Sequence, residues 1–331
     1  MSERGRAPTL RRLLSARARL GSADTNGVRL SAGLADGLPG LIVDRFGPLV
    51  VAIDYAAAAD GGLTARALVD AVKETFPDHH VVAKARSSTD GTNKFETEAF
   101  APPAATPLIA TERGLKFEIG VDPAHDFGLY LDAAKARLYV RAAARGQRVL
   151  NLFSYTGAFG IAAAAGGAAD VANVDPNRDY LAWSLRNAAL NGVSMRVFPD
   201  TAQDHLARLL RRFARDPDRA RYDLVIVDPP AFGVGRGNER VLRLLWPELF
   251  ASLRAMTPRQ IVLMSNDKAF RSRQSFAELV HAELGQHYAF ERLGTCFTPE
   301  DLAGAPTLAW RPGVEDPIYV EPVVLAGVRR A

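Results

Sequence analysis

The sequence predicts an α/β protein. Its main unit is a doubly wound, mostly parallel sheet that ends in an antiparallel hairpin, and a smaller α+β unit comes before it. Three observations carry this. From about residue 119, strand-like apolar runs alternate with helical patterns, as βαβ crossovers require. The last two strand candidates, HYAFERLG (287–294) and IYVEPVVLAG (318–327), read as an antiparallel closing pair. Finally, DLVIVDPPAFG (223–233) drives four apolar residues into Asp228-Pro229-Pro230. Neither proline can donate to a ladder, so the strand stops there and presents a carboxylate on a stiff lip.

The elements follow in order. Residues 1–24 form a basic N-terminal segment, in which Arg4, Arg6, Arg11, Arg12, Arg17 and Arg19 stand against the single acid Glu3 over residues 1–20. Such an Arg-rich start also fits an organellar transit peptide, but Leu10, Leu13, Leu14 and Leu20 suit an amphipathic folded helix better. Residues 25–118 form the small α+β unit. Strand candidates VRLSAG and LIVDRFG-PLVVAIDY turn about Asp36-Gly37, Pro39-Gly40 and Gly47-Pro48. A helix over 63–75 carries Leu63, Leu68 and Val72 at helical spacing, and VVAKAR (81–86) is a further strand. SSTDGTNKF and the Pro/Ala-rich APPAATP (101–107) read as loops.

The 119–331 unit then runs RVLNLF (148–153), a helix from 158, ADVANVD (169–175), a helix over 178–192, MRVFPD (195–200) and a basic helix through 202–215. YDLVIVD (222–228), a helix near 239–255 and QIVLMSN (260–266) complete the pattern before the closing pair.

Bulk properties narrow the function classes. At 331 residues, 48% hydrophobic and 24% charged, the chain buries a large core and is not a disordered protein. The net charge of +4 is concentrated in the N-terminal segment and in HLARLLRRFARDPDRARY (205–222), a bias compatible with nucleic acid. Cys296 is the single cysteine, which excludes an internal disulfide and fits a cytoplasmic protein. The most apolar stretch, 158–174, is Ala/Gly-rich and interrupted by Asp170, so no membrane partner is expected. No metal site is expected either.

The strand ends point to the cofactor. NLFSYTGAFG opens a helix after a strand but is not G-x-G-x-x-G, because aromatics Phe153 and Tyr155 stand where a diphosphate needs bare backbone. No P-loop occurs anywhere in the chain, and the closing hairpin is foreign to a nicotinamide-binding sheet. Asp175 ends the second strand, 24 positions beyond Asn151, near the spacing of a ribose-binding acid. Asp200 ends the third, where a carboxylate can accept from an adenine amino group. With Asp228 on the fourth strand, these groups suit an adenosine ligand without phosphates, and S-adenosylmethionine is the natural candidate. Any one strand-end Asp alone would more often be a helix cap.

NLFSYTGAFG, VDPNRDYLAWSLRNAALNG and IVDPPAFG resemble the class I S-adenosylmethionine-dependent RNA methyltransferases that modify bacterial ribosomal RNA. RLSAGLADGLPGLIVDRFG is similar to the accessory domain of the PUA-containing 23S rRNA cytosine-C5 methyltransferases, although no PUA module precedes residue 25. FGLYLD (127–132) is similar to a motif both relatives place before the first sheet strand, but Ala133 and Ala134 stand where they carry Gln or His and then Arg, with Arg137 further on. MSNDKAF (264–270) and, more faintly, KARSSTDGTNKFE (84–96) resemble the guanine-N7 half of the fused bacterial 23S rRNA methyltransferase.

The resemblance implies a Rossmann-like, seven-stranded methyltransferase sheet. It places Asn151, Phe153, Tyr155, Thr156 and Gly157 on the cofactor's methionine side, Asp175 on the ribose and Asp200 on adenine. Asp228 with Pro229, Pro230 and Phe232 would form the transfer point.

Chemistry bears on the acceptor. Cytosine C5 needs a cysteine thiolate at C6, and neither DPPAFG nor MSNDKAF contains one. Transfer to a nitrogen needs no covalent intermediate, and guanine N7, with an available lone pair, is favoured. Asp228 then orients the base, Phe232 stacks on it, and Asn266 and Lys268 read the base and hold a phosphate. Arg11, Arg12, Arg17, Lys84, Arg86 and Lys268 are the expected RNA contacts. The expected partner is ribosomal RNA or a pre-ribosomal particle, bound by a monomer or homodimer. Cytosine-C5 transfer, a protein or small-molecule acceptor, and a non-catalytic RNA-binding assembly factor remain open alternatives.

Overall fold

The computed structural model describes residues 3–56, 61–86, 95–100, 107–120, 127–216, 221–230, 238–266, 273–297 and 322–330. Phe232, Lys268 and residues 87–94, expected as a loop, lie outside the described residues. The chain divides into two compact units, Met1–Leu131 with Cys296–Glu321, and Asp132–Thr295 with Pro322–Ala331.

The first unit is built on a five-stranded sheet in the order β1-β2-β3-β4-β5: β1 Gly27–Ala32, β2 Leu41–Phe46, β3 Leu49–Asp54, β4 His80–Arg86 and β5 Phe95–Phe100. Only β3 and β4 pair in parallel. Their crossover is α2 (Ala65–Thr75), capped by Thr64, whose hydroxyl accepts from Ala67 N–H, and buried along Leu68, Val69 and Val72.

Helix α1 (Glu3–Arg17) belongs to this unit and is not a separate tail. Leu10, Leu13 and Leu14 are buried, and so are two of its arginines. Arg6 pairs with Asp54 at 2.9 Å, and Arg17 donates to both Asp36 oxygens and to the Leu30 carbonyl. A guanidinium with no exposed surface whose donors are engaged by Asp36 and Leu30 cannot reach a phosphate, so Arg17 is corrected from an RNA contact to an internal tie. A hairpin, β6 (Leu108–Glu112) and β7 (Leu115–Ile119), completes the unit; its turn places Arg113 and Gly114 both at positive φ.

The second unit holds a seven-stranded sheet in the order β10-β9-β8-β11-β12-β14-β13. These strands are β8 Arg148–Leu152, β9 Asp170–Val174, β10 Arg196–Phe198, β11 Leu224–Val227, β12 Gln260–Ser265, β13 Tyr288–Leu293 and β14 Val323–Arg329. Strands β8 to β12 are parallel, and β14 runs antiparallel to both β12 and β13. This is the predicted parallel sheet with its closing hairpin.

Alternate residues of each strand face opposite layers. Leu150, Leu152, Val225 and Val227 pack against α6 (Ala202–Phe213), α7 (Asn238–Met256) and α8 (Arg273–Leu284). Val149, Val171, Leu224 and Ile226 pack against α3 (Ala134–Ala143) and α4 (Ala158–Ala165). Burial on both faces explains why the central strands read as continuous apolar runs. The remaining crossover helix is α5 (Arg178–Leu190). Chain order reverses where β8 lies between β9 and β11, the switch point at which open α/β sheets place ligands.

Candidate active site

The loop after β8 reverses sharply at this switch point. Phe153 and Tyr155 both take left-handed backbone conformations, φ 56° and 50°, each costing about 1–3 kcal/mol for a residue with a side chain. Neighbouring groups hold them there. Ser154 N–H donates to the Val174 carbonyl at 2.9 Å, and Tyr155 N–H donates to Asp175 Oδ2 at 2.9 Å. Asp175 Oδ1 accepts from Asn177 N–H at 2.9 Å, so this carboxylate ties the end of β9 to the loop after β8. Each oxygen uses one lone pair in these bonds and keeps another for a hydroxyl donor. The Tyr155 ring stands edge-on to Tyr180 of α5, centroids 4.6 Å apart, and tilts against Trp183.

Beneath the loop lies a buried polar ladder. Asn151 Nδ2 donates to Asn173 Oδ1 at 2.9 Å, Asn173 Nδ2 donates to Ser184 Oγ, and Asn187 Nδ2 donates to the Thr156 carbonyl. Helix α4 presses onto this ladder through two glycines. A Cβ on Gly157, itself at φ 84°, would stand 2.5 Å from Ser184 Oγ, and one on Gly160 would stand 2.3 Å from Asn173 Oδ1. Asn173, Ser184 and Asn187 escaped the sequence reading because each sits inside an ordinary strand or helix pattern.

Asp228 follows β11 at the same edge, partly exposed, with Pro229 buried and Pro230 exposed behind it. Burial raises its carboxyl to about 7; the negative charge of Asp132 adds to the rise, and Arg137 opposes it. Both of these neighbours are themselves buried. Arg137 stands further along the chain than the arginine of the related motif, yet its charge reaches Asp228. Asn266 comes just after β12, whose Leu263 is in register with Val227.

Asp200 lies past β10, but its carboxylate is engaged: Oδ2 is bound by Arg208 and stands 3.2 Å from His205 Nδ1. Burial, with the charges of Arg196 and Arg212, lowers His205 to about 4, so at physiological pH its imidazole is neutral and its contact with Asp200 is a hydrogen bond and not an ion pair. Of the expected RNA contacts, Arg11, Arg12, Lys84 and Arg86 are dispersed over the first unit, and Lys268 lies outside the described residues. Arg12 is exposed, Arg11 pairs with Glu74, Lys84 stands over the Phe127 ring, and Arg86 is partly exposed.

The sequence profile of S-adenosylmethionine-dependent methyltransferases matches residues 71–269, more than half of the chain. The chain belongs to this family. A ribosomal RNA large subunit methyltransferase I from Erwinia tasmaniensis is 35% identical over 209 residues, 62% of this chain and 51% of that protein. The chain thus spans about half the length of the curated relatives it matches.

Two solved structures share the fold. A protein assigned as a methyltransferase and complexed with SAH superposes with TM-score 0.71 at 20% identity, covering 99% of this chain and 82% of that one. Another, assigned as an S-adenosylmethionine-dependent methyltransferase from Streptococcus mutans, gives TM-score 0.70 at 21% identity, covering the same shares.

The family's cofactor is S-adenosylmethionine, and the loop fits it. Asn151 Oδ1 and Ser154 Oγ are buried with no hydrogen-bond partner among the described residues, so this loop and the strand before it keep polar capacity for a ligand with hydrogen-bond donors. No described helix is long and apolar enough to cross a membrane.

Proposed function

We propose that this chain transfers a methyl group from S-adenosylmethionine to a base of RNA, with large-subunit ribosomal RNA as substrate. The acceptor is a ring nitrogen, guanine N7 in the favoured case, and no enzyme–base covalent bond forms.

The cofactor supplies a methyl group already activated on a sulfonium; the protein's work is alignment and exclusion of water. Asn151, Phe153, Tyr155, Thr156 and Gly157 form its methionine side, Asp175 accepts from its ribose hydroxyls, and Asp200 faces adenine through the oxygen that Arg208 does not engage. Asp228, in its carboxylate form, accepts an N–H from the base edge and fixes the ring so that N7 faces the methyl group. Pro229 and Pro230 hold that carboxylate still; Phe232 stacks on the base, and Asn266 reads its edge. Lys268, Arg11, Arg12, Lys84 and Arg86 meet phosphates.

One observation carries the choice of acceptor. Asp228, raised to about 7, stands at the end of β11, whereas the chain's single thiol, Cys296, is buried and follows β13, outside the segments that leave β11 and β12. A relative named as a large-subunit ribosomal RNA methyltransferase supports the substrate class.

The test is methylation of unmodified ribosomal RNA followed by nucleoside mass spectrometry. The reading expects 7-methylguanosine, lost in Asp228→Ala and retained in Cys296→Ser. Appearance of 5-methylcytidine with loss of activity in Cys296→Ser would overturn the nitrogen assignment, and a methylated protein with unmodified RNA would overturn the substrate class.

A further inference from the structure

The second basic run of the sequence touches the site above only through His205 and Arg208 at Asp200, yet it forms one wall of a cleft. Arg148, Asp170 and Arg196 are the first residues of β8, β9 and β10, so they mark the amino edge of the sheet, opposite the edge that carries Tyr155 and Asp175. Five residues of strand at roughly 3.3 Å each separate the two edges by about 17 Å. Helix α6 returns from the Asp200 end to the amino edge, and its last turn and exit bring Arg212 and Arg215 over these strand starts. Together with Leu209, Asp216 and Tyr222 they enclose a cavity of about 570 Å³. A second hollow of about 300 Å³, lined by Phe198, His205, Arg208, Leu209 and Arg212, continues it along α6 toward Asp200.

The electrostatics of this track are lopsided. Asp170 is engaged by Arg196, whose Nε donates to it at 2.9 Å, and Arg148 stands 4.0 Å away and over the Tyr222 ring. Arg211, Arg212 and Arg215 are exposed. No described carboxylate pairs with Arg212 or Arg215. The helix macrodipole accounts for one or two cations in the last turn of α6. It does not account for Arg148 and Arg196 converging on them from two other elements. Burial is the chief cause of the lowered His205, and the charges of Arg196 and Arg212 add to it.

We infer that this cleft, with the groove leading from it along α6, is a docking track for the phosphate backbone of RNA. A concave, elongated row of guanidinium forks matches a polyanion better than it matches a compact anion, because successive phosphates can each take one fork. The track begins at the edge where the base reacts and ends at the opposite edge, so it selects RNA long enough to pass down the side of the domain. This inference rests on the RNA reading above and adds where the strand is held.

The experiment is RNA binding by the full chain, measured against salt for the wild type, for Arg212→Glu/Arg215→Glu, and for a control with the same charge change at the exposed Arg259 and Arg292. Cofactor binding serves as the check of folding. The expected result is at least tenfold weaker RNA binding in the α6 variant, with the salt slope reduced by about 1.4, since each of the two lost phosphate contacts on a single strand removes about 0.7. S-adenosylmethionine affinity stays at the wild-type value. Equal losses in the α6 variant and the control, with wild-type binding intact, would overturn the track and leave the RNA reading standing. Failure of the wild-type protein to bind RNA would overturn both.

Discussion

The carboxyl of Asp228 gives a prediction that can be worked through. Its ordinary value is 3.8, and in the folded protein it is pushed to about 7, chiefly by burial and then by Asp132. The folded state therefore holds this proton more tightly than the unfolded chain. The resulting stabilisation is complete below 3.8 and is lost as pH rises through 7. At about 1.36 kcal/mol per pH unit the gap corresponds to on the order of 4 kcal/mol, nearer ~2 once solvent at the partly exposed carboxyl is allowed for.

Asp228→Asn keeps the shape and removes the titration. In thermal melts without cofactor, the variant and wild type should coincide at pH 4 and diverge as pH rises. By pH 8 the variant should melt some 4–8 °C higher, taking about 2–4 °C per kcal/mol for a unit of this size. Asp132→Asn removes one cause of the rise and should move the midpoint of the divergence to lower pH. Parallel melting profiles for wild type and Asp228→Asn across pH 4–8 would refute the reasoning.

Other perturbations test the rest of the site and scaffold. Gly160→Ala drives a Cβ into Asn173 Oδ1 and should cost about 1–3 kcal/mol of stability, read by chemical denaturation, whereas Gly37→Ala, with open space around its Cβ, should cost only the left-handed strain of its φ 74°, about 1 kcal/mol. Asp175→Ala removes the acceptor that holds Tyr155 N–H and should weaken S-adenosylmethionine binding about 10–100-fold by calorimetry. Arg17→Ala strands the buried Asp36 carboxylate and should cost about 3–5 kcal/mol, and Arg17→Met/Asp36→Leu should recover most of that loss. A wild-type-like melt for Arg17→Ala would return that arginine to the surface.

Much of this was legible from residue order. Alternating strand and helix patterns gave the parallel sheet, and the terminal pair gave its antiparallel close, because both follow from local periodicity. Strand-end Asp175 and Asp228 were legible for the same reason: a polar residue that stops an apolar run lies at a sheet edge.

What escaped depends on tertiary partners. The β6–β7 hairpin turns on Arg113 and Gly114, and an arginine at φ 49° is not a turn signal. Strand β5 was lost beside a loop-like composition. Arg6 and Arg17 looked like surface cations, and only the carboxylates at Asp54 and Asp36, which arrive from distant strands and turns, make them internal. The influence of Asp132 and Arg137 on Asp228 crosses almost a hundred residues of sequence and leaves no local pattern.

The most direct test of the account is a crystal structure of the chain with S-adenosylhomocysteine. The ribose is expected on Asp175, the amino-acid end against residues 151–157, and the sulfur directed toward Asp228. A ligand seated away from the ends of β8 and β9, or one whose sulfur faces away from β11, would contradict it.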